Sequence, residues 1–188
     1  MTAGLVILDP RKRPRVPWAN GRGMTRELIR DPDGKWRLSV ADLEQDAPFS
    51  AFPGVDRLFI LVAGRVRLTV GGRETELVAG DAARFRGEDA VDVALDRPAR
   101  AVNLMSARGA IAVDSQRQPA ARQIASPATP EEILVLASPG RTAAGVWIPA
   151  GAALITEHRS RGDGDQVEFM DPVCVHRLRM RRLDLTTS

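Results

Sequence analysis

Tyrosine is absent from this chain of 188 residues, which carries only one cysteine, two histidines and two lysines. Each shortage removes a class of chemistry. The single Cys174 excludes an internal disulfide and fits a reducing compartment, so a cytoplasmic setting is the default expectation. His158 and His176 form no His-x-His pair, and carboxylates alone favour hard, weakly held ions, so no metal and no cofactor are expected. Cys174 has no base in a recognisable motif and no Gly-x-Ser-x-Gly elbow occurs, which argues against nucleophilic catalysis. Long apolar runs are missing too: the opening Leu5-Val-Ile-Leu8 is too short to span a bilayer and has no basic residue before it, so neither a membrane nor a secretory segment is expected.

The formal charge of +3 comes from arginine, because Lys12 and Lys35 are the only lysines. Basic residues cluster at Arg11–Arg15 and Arg177–Arg182. Nucleic-acid binding would want such clusters beside stacking aromatics or on a recognition helix, and neither is evident, so no nucleic-acid partner is expected. In the second cluster Leu178 and Met180 alternate with arginines, the pattern of a strand whose charged outer face discourages edge pairing.

What is present is β-sheet. Thirteen prolines and sixteen glycines punctuate short runs: Leu58–Val62, Val66–Val70, Val91–Leu95, Ala101–Met105 and Ile133–Ala137. Strands at this spacing imply an antiparallel sandwich or barrel. Val66–Val70 runs into Gly71-Gly72, a tight hairpin signal. Asp31-Pro32-Asp33-Gly34 reads as a type I turn followed by a left-handed glycine. With Pro32, Asp33 and Gly34 as a three-residue loop, Asp31 pairs with Lys35, Ile29 faces Arg37, Glu27 faces Ser39 and Thr25 faces Ala41. One face then gathers Thr25, Glu27, Arg37 and Ser39; the other gathers Met24, Leu28, Trp36, Leu38 and Val40 and must be buried. The polar face can simply meet water, as on many antiparallel sheets; on a closed barrel it lines a pocket instead, where Glu27 and Arg37 cost several kcal/mol unless paired or used by a ligand.

The richest stretch runs from Trp18-Ala-Asn-Gly-Arg-Gly-Met-Thr-Arg-Glu27 through Asp31-Pro-Asp-Gly34, Trp36-Arg-Leu-Ser-Val-Ala41 and Phe49-Ser-Ala-Phe-Pro-Gly54 to Asp56-Arg57. With Phe85-Arg-Gly87 and Val102-Asn-Leu-Met105, this ordered set resembles the HutD/Ves family, a β-rich, cupin-like group of bacterial proteins tied to histidine utilisation. The resemblance covers most of residues 14 to 109. It implies an all-β fold with a cupin-like (RmlC-type) antiparallel barrel. Ile133–Ala137, Gly140, Val146–Gly151 and Ala152–Thr156 loosely echo the earlier strands, so a bicupin with a degenerate second half is expected: residues 1–113, a connecting segment 114–130 rich in Ser, Gln, Ala and Pro, and residues 131–188. A single sandwich with long connections is the alternative.

Many cupins hold a metal through two histidines close together on one strand, a glutamate and a third histidine; with His158 and His176 alone that set is excluded. Metal-free cupin enzymes rely on histidine or tyrosine for proton transfer, which leaves carboxylates such as Glu27, Asp56 and Asp81. The leading expectation is therefore a non-catalytic binder of a small anionic metabolite, with Trp18, Asn20, Thr25, Glu27, Arg37, Ser39, Arg57 and Asn103 as ligand-binding candidates. Arginines can grip a carboxylate with paired hydrogen bonds, Asn20 offers donor and acceptor, and Trp18 can cover a planar group. Asn103, polar within an apolar strand, is either a satisfied core amide or a pocket ligand. The resemblance implies that the metabolite belongs to histidine breakdown, of the urocanate or acylated glutamate class. Two other readings stand beside it: a metal-independent isomerase or lyase using Glu27 as acid or base, and a regulatory protein whose apolar hairpin face, with Trp36 and Leu38, docks another chain. Assembly as a homodimer stays open.

Overall fold

The glycine- and proline-bounded apolar runs become strands, and no α-helix forms among the described residues. In this computed structural model residues 5–18, 20–156 and 166–183 are described. The strands are, in chain order, β1 (Leu5–Leu8), β2 (Val16–Pro17), β3 (Gly23–Arg30), β4 (Trp36–Leu43), β5 (Ala47–Pro48), β6 (Val55–Ala63), β7 (Arg65–Val70), β8 (Arg73–Val78) and β9 (Ala82–Arg86). There follow β10 (Val91–Leu95), β11 (Ala99–Ala107), β12 (Ile111–Ala125), β13 (Glu132–Leu136), β14 (Gly140–Arg141), β15 (Trp147–Ile148), β16 (Ala153–Thr156) and β17 (Gln166–Arg182).

They form a four-stranded sheet β5-β10-β7-β8, a six-stranded sheet β2-β3-β4-β11-β6-β9, a five-stranded sheet β1-β16-β13-β17-β12 and the pair β14-β15. Strand β6 shows how the layers stack. Its side chains alternate between faces: Phe59 and Leu61 pack with Val66, Leu68, Val91 and Val93 of the four-stranded sheet, while Leu58, Ile60 and Val62 pack with Ile133, Val135, Leu178 and Met180 of the five-stranded sheet. The six-stranded sheet is thus buried on both sides, and its inner face with the four-stranded sheet makes the cupin-like barrel. A third apolar cluster, with Leu134, Leu136, Ile148, Leu154, Phe169, Val173 and Val175, fills the far side of the five-stranded sheet.

The β3–β4 hairpin departs from expectation twice, and the departures cancel. Asp31 N–H bonds the Trp36 carbonyl (2.9 Å), so the loop has four residues, closed by Gly34 N–H on the Asp31 carbonyl (2.8 Å) and Lys35 N–H on its carboxylate (3.1 Å). Gly34 takes a positive φ of 71°. One residue further along, the register shifts at Leu28, so Ile29 lies opposite Leu38 instead of Arg37. The bulge lets Leu28 reach the core, and beyond it Glu27 faces Ser39 and Thr25 faces Ala41 as read from the sequence.

The structure differs from the sequence reading at four further places. Residues 114–130 are for the most part strand β12, at the free edge of the five-stranded sheet. An edge strand exposes much of its length, so its composition looks like a linker, and Pro119 sits where the register with β17 breaks between Gln118 and Ala121. Strand β1 joins the five-stranded sheet through β16, so the N-terminal residues do not belong with the first barrel. Strand β17 lies inside its sheet, between β13 and β12. Its Arg177 is buried and bonds Glu132 at 2.9 Å, with Arg179 on the other Glu132 oxygen at 2.6 Å. The apolar hairpin face is covered by the chain itself: Leu38 is fully buried and Trp36 half-buried against the five-stranded sheet, which removes the reading in which that face docks another protein. No helix among the described residues is long and apolar enough to cross a membrane.

Candidate functional site

Antiparallel register aligns side chains in rows across the inner face of the six-stranded sheet. One row runs Thr25, Ala41, Ala101, Leu61; the next Glu27, Ser39, Asn103, Phe59; the third Arg37, Met105, Arg57, Phe85. Small residues at Ser39, Ala41 and Ala101 leave the centre unfilled, and a cavity of about 320 Å³ opens there. Thr25, Glu27, Arg37, Ser39, Arg57, Asn103 and Met105 line it, together with Val16, Pro17 and Trp18 and with Phe49, Ser50 and Phe52.

Trp18 folds back over β3, and its indole N–H donates to Thr25 Oγ1 at 2.8 Å. This approach needs Gly23: a Cβ there would lie 2.7 Å from the Asp42 carbonyl and 3.0 Å from the indole ring. Phe49 meets Trp18 edge-on, with ring centroids 6.0 Å apart. Asn20 is not brought to the cavity. It is exposed in the turn after Trp18, where its Oδ1 accepts the Arg22 N–H at 3.0 Å, a local turn role that asparagine serves readily.

The charges are distributed differently from the sequence reading. Glu27 is tied not to Arg37 but to Arg30, whose Nη2 and Nε donate to its two oxygens at 2.6 and 3.1 Å. The bulge at Leu28 lies between them, which the simple alternation hid. Arg37, left without a carboxylate, donates to the Met105 sulfur at 3.2 Å, and its guanidinium lies 5.5 Å from the Phe52 ring centre.

Arg57 is the most unusual group in the cavity. It is 6% exposed, donates one bond, to Asn103 Oδ1 at 3.1 Å, and its Nε is buried without a partner. Its guanidinium carbon lies 4.9 Å from the Phe85 ring centre, 5.0 Å from that of Phe49 and 5.8 Å from that of Phe52. Burial, with a smaller push from Arg37, lowers its pKa to about 10. Even so it stays a cation at neutral pH. Among the described residues the cavity therefore holds two guanidinium groups with no carboxylate of their own.

Asn103 is a pocket residue bonded to Arg57, which joins the two roles open to it in the sequence. The sequence reading missed Met105, although its alternation with Asn103 puts both on one face. Phe49 and Phe52, from the stretch Phe49-Ser-Ala-Phe-Pro-Gly54, form part of the arginines' aromatic surround. His176 is not at this site: it is buried in the seam between the sheets, with Nε2 2.9 Å from the Gly80 carbonyl oxygen. His158 lies outside the described residues. No group of three or more His, Cys, Asp or Glu side chains suited to a metal ion occurs among the described residues.

A family model for HutD matches residues 11–166. The chain belongs to the HutD family. Among curated relatives, an uncharacterized 21.2 kDa protein in the hutC 3′ region of Pseudomonas putida is 41% identical over 98 residues, 48% of this chain and 52% of that protein. Protein Ves of Citrobacter koseri is 43% identical over 60 residues, 30% of this chain and 31% of Ves. The matches thus span about half the length of the first relative and about a third of the second. Among solved structures, HutD from Pseudomonas fluorescens SBW25 aligns with a TM-score of 0.71 and 26% identity over 94% of this chain and 99% of that one. A conserved Pseudomonas aeruginosa PAO1 protein of unknown function aligns with a TM-score of 0.77 and 29% identity over 95% and 99%. A Cupin 2 conserved barrel domain protein from Leptotrichia buccalis, 7% identical with a TM-score of 0.55 over 88% and 92%, shares the fold.

Proposed function

We propose that this HutD-family protein is a metal-free, non-catalytic binder of a small anionic metabolite, and that it senses or sequesters an intermediate of histidine catabolism of the urocanate or acylated glutamate class. The observation that carries the reading is Arg57: a buried guanidinium facing a cavity, with an unpartnered Nε and no carboxylate partner among the described residues. Burying an unpaired charge is costly, and a ligand carboxylate would offset that cost with charge-assisted bonds. Arg37 adds a second cation with no carboxylate partner among the described residues, while Trp18 and Phe52 offer flat apolar walls. The metabolite class is what the family resemblance implies, and membership of the HutD family supports carrying it to this chain. The turnover reading has less support, since both Glu27 oxygens are engaged by Arg30.

In this reading the molecule is one cytoplasmic, bicupin-like body. Its first half is β2–β11; its second half, β12–β17 with β1, is degenerate, carrying the two-stranded β14-β15 where the first carries a four-stranded sheet. A thermal-shift and calorimetric screen against urocanate, formylglutamate, histidine and related acids tests the function. Stabilisation by at least one carboxylate is the expected outcome; a folded protein that none of them stabilises counts against it.

A further inference from the structure

Phe52 has a property that no other ring at the site shares: both cavity arginines lie against it, Arg37 at 5.5 Å and Arg57 at 5.8 Å from its centre. Phe49 and Phe85 contact Arg57 alone. Those two rings are fixed by packing with Phe59 and with each other. Phe52 is different, being 36% exposed on the loop between β5 and β6. We infer that Phe52, held in place by Gly87, is the positioning residue that sets the two guanidinium groups for a single anion. This rests on the anion-binding reading above.

A ring under a guanidinium attracts the cation through its negative face and leaves the N–H groups at the guanidinium edge free to donate. One ring shared by two arginines therefore brings two like charges to one place before any ligand arrives and restricts both side chains. Restriction made in advance lowers the ordering cost of binding.

The ring's own position is fixed from a distance. Phe52 N–H donates to the Gly87 carbonyl at 2.7 Å, and Gly87 N–H donates to the Val55 carbonyl at 2.8 Å. A Cβ on Gly87 would lie 2.0 Å from the Phe52 carbonyl oxygen and 2.6 Å from Val55 Cγ2. No side chain fits there without moving the backbone that carries Phe52. Gly87 lines no part of the cavity, yet the arrangement of the arginines depends on it.

The experiment is isothermal titration of formylglutamate into the full-length wild type, Phe52→Leu, Phe52→Tyr and Gly87→Ala, with NMR of the arginine Nε–Hε groups. Phe52→Leu keeps bulk and loses the π face, so affinity should fall about five- to tenfold, the size of one to two such contacts. Phe52→Tyr should restore it, and Gly87→Ala should reproduce the loss. In the NMR spectrum the Arg37 signal should carry a ring-current shift that Phe52→Leu removes, while the Arg57 signal, which Phe49 and Phe85 also face, should change only in part. Wild-type affinity in Phe52→Leu, or equal affinity in the Leu and Tyr variants, overturns the inference while leaving the binding function intact. No binding of formylglutamate by any variant, wild type included, counts against that acid as the ligand instead; the ring-current comparison then decides the inference alone, and an Arg37 signal in Phe52→Leu unchanged from wild type overturns it.

Discussion

Arg57 sets function against stability at a single position. Its neighbours are three phenylalanine rings and Asn103, a setting that would suit an apolar side chain. Replacing an unpaired buried charge by an apolar group of similar length is often neutral or stabilising, because the desolvation cost disappears. Arg57→Met should therefore unfold at or above the wild-type temperature in calorimetry without ligand. Its carboxylate binding should weaken by about 10- to 100-fold, the range set by losing hydrogen bonds to a charged group at about 1.5–3 kcal/mol. A variant that loses both stability and binding would mean that Arg57 is a structural residue with its own hidden partner. The sequence signalled Arg57 through residue type, a guanidinium able to grip a carboxylate, but its isolation was invisible there. Isolation depends on what Glu27 does, and Glu27 turns to Arg30 across a bulge that no pattern of alternation shows.

At the level of elements, the β3–β4 hairpin was legible because two simple periodicities agree: side chains alternate along a strand, and Asp-Pro-Asp-Gly closes a turn. The polar face followed directly, although loop length and register were each one residue off. Strand β12 was illegible for the opposite reason. A solvent-facing edge strand keeps Ser, Gln, Ala and Pro, and its pairing is dictated by β17 rather than by its own pattern. The short β2 belongs to a third kind, held by a neighbour's missing side chain. Val16-Pro17 pairs with Met24 and Thr25, and Trp18 closes over Gly23. Gly23→Ala would force a methyl against the Asp42 carbonyl and the indole. Overpacking of this kind costs about 1–3 kcal/mol, and the flexible side to give way is Trp18. Chemical denaturation should show that loss, and acrylamide should quench the tryptophan emission of the variant more strongly than that of the wild type. Unchanged quenching with unchanged stability would mean that the backbone accommodates the methyl and that Gly23 is not what admits the indole.

Across the whole molecule, the six-stranded and five-stranded sheets are joined by an apolar seam of Leu38, Leu58, Ile60, Leu104, Ile133, Val135 and Leu178, and strand β17, which supplies Leu178, also carries a buried titratable group. His176 on β17 faces the Gly80 carbonyl and Asp81 from the loop between β8 and β9, and Arg117 from β12. Its Nδ1 is buried without a partner. Burial lowers its pKa from 6.5, and Arg117 acts in the same direction; the Gly80 bond and Asp81 oppose them without reversing the shift. The imidazole is thus held neutral in the fold, whereas the unfolded chain takes up a proton near the ordinary histidine value. Below that value the unfolded state binds more protons than the folded one, so stability rises with pH and is lost as pH falls from about 7 towards the folded-state pKa. Asp42 and Glu132 behave as carboxylates of lowered pKa: burial raises each, but Arg100 and Arg26 around Asp42, and the Ala128 N–H, Arg177 and Arg179 around Glu132, outweigh it. Their contribution is present above the ordinary carboxylate range and is lost only at more acid pH. The two effects separate in one experiment, urea unfolding of wild type and His176→Gln at intervals from pH 8 to pH 3. Glutamine keeps an N–H for Gly80 and does not titrate, so the variant's stability should be flatter than that of the wild type between pH 7 and 5, and both should decline together below about pH 4, where the carboxylates protonate. Parallel curves across the upper range would show that the seam tolerates a proton on His176 and that its burial carries no pH dependence.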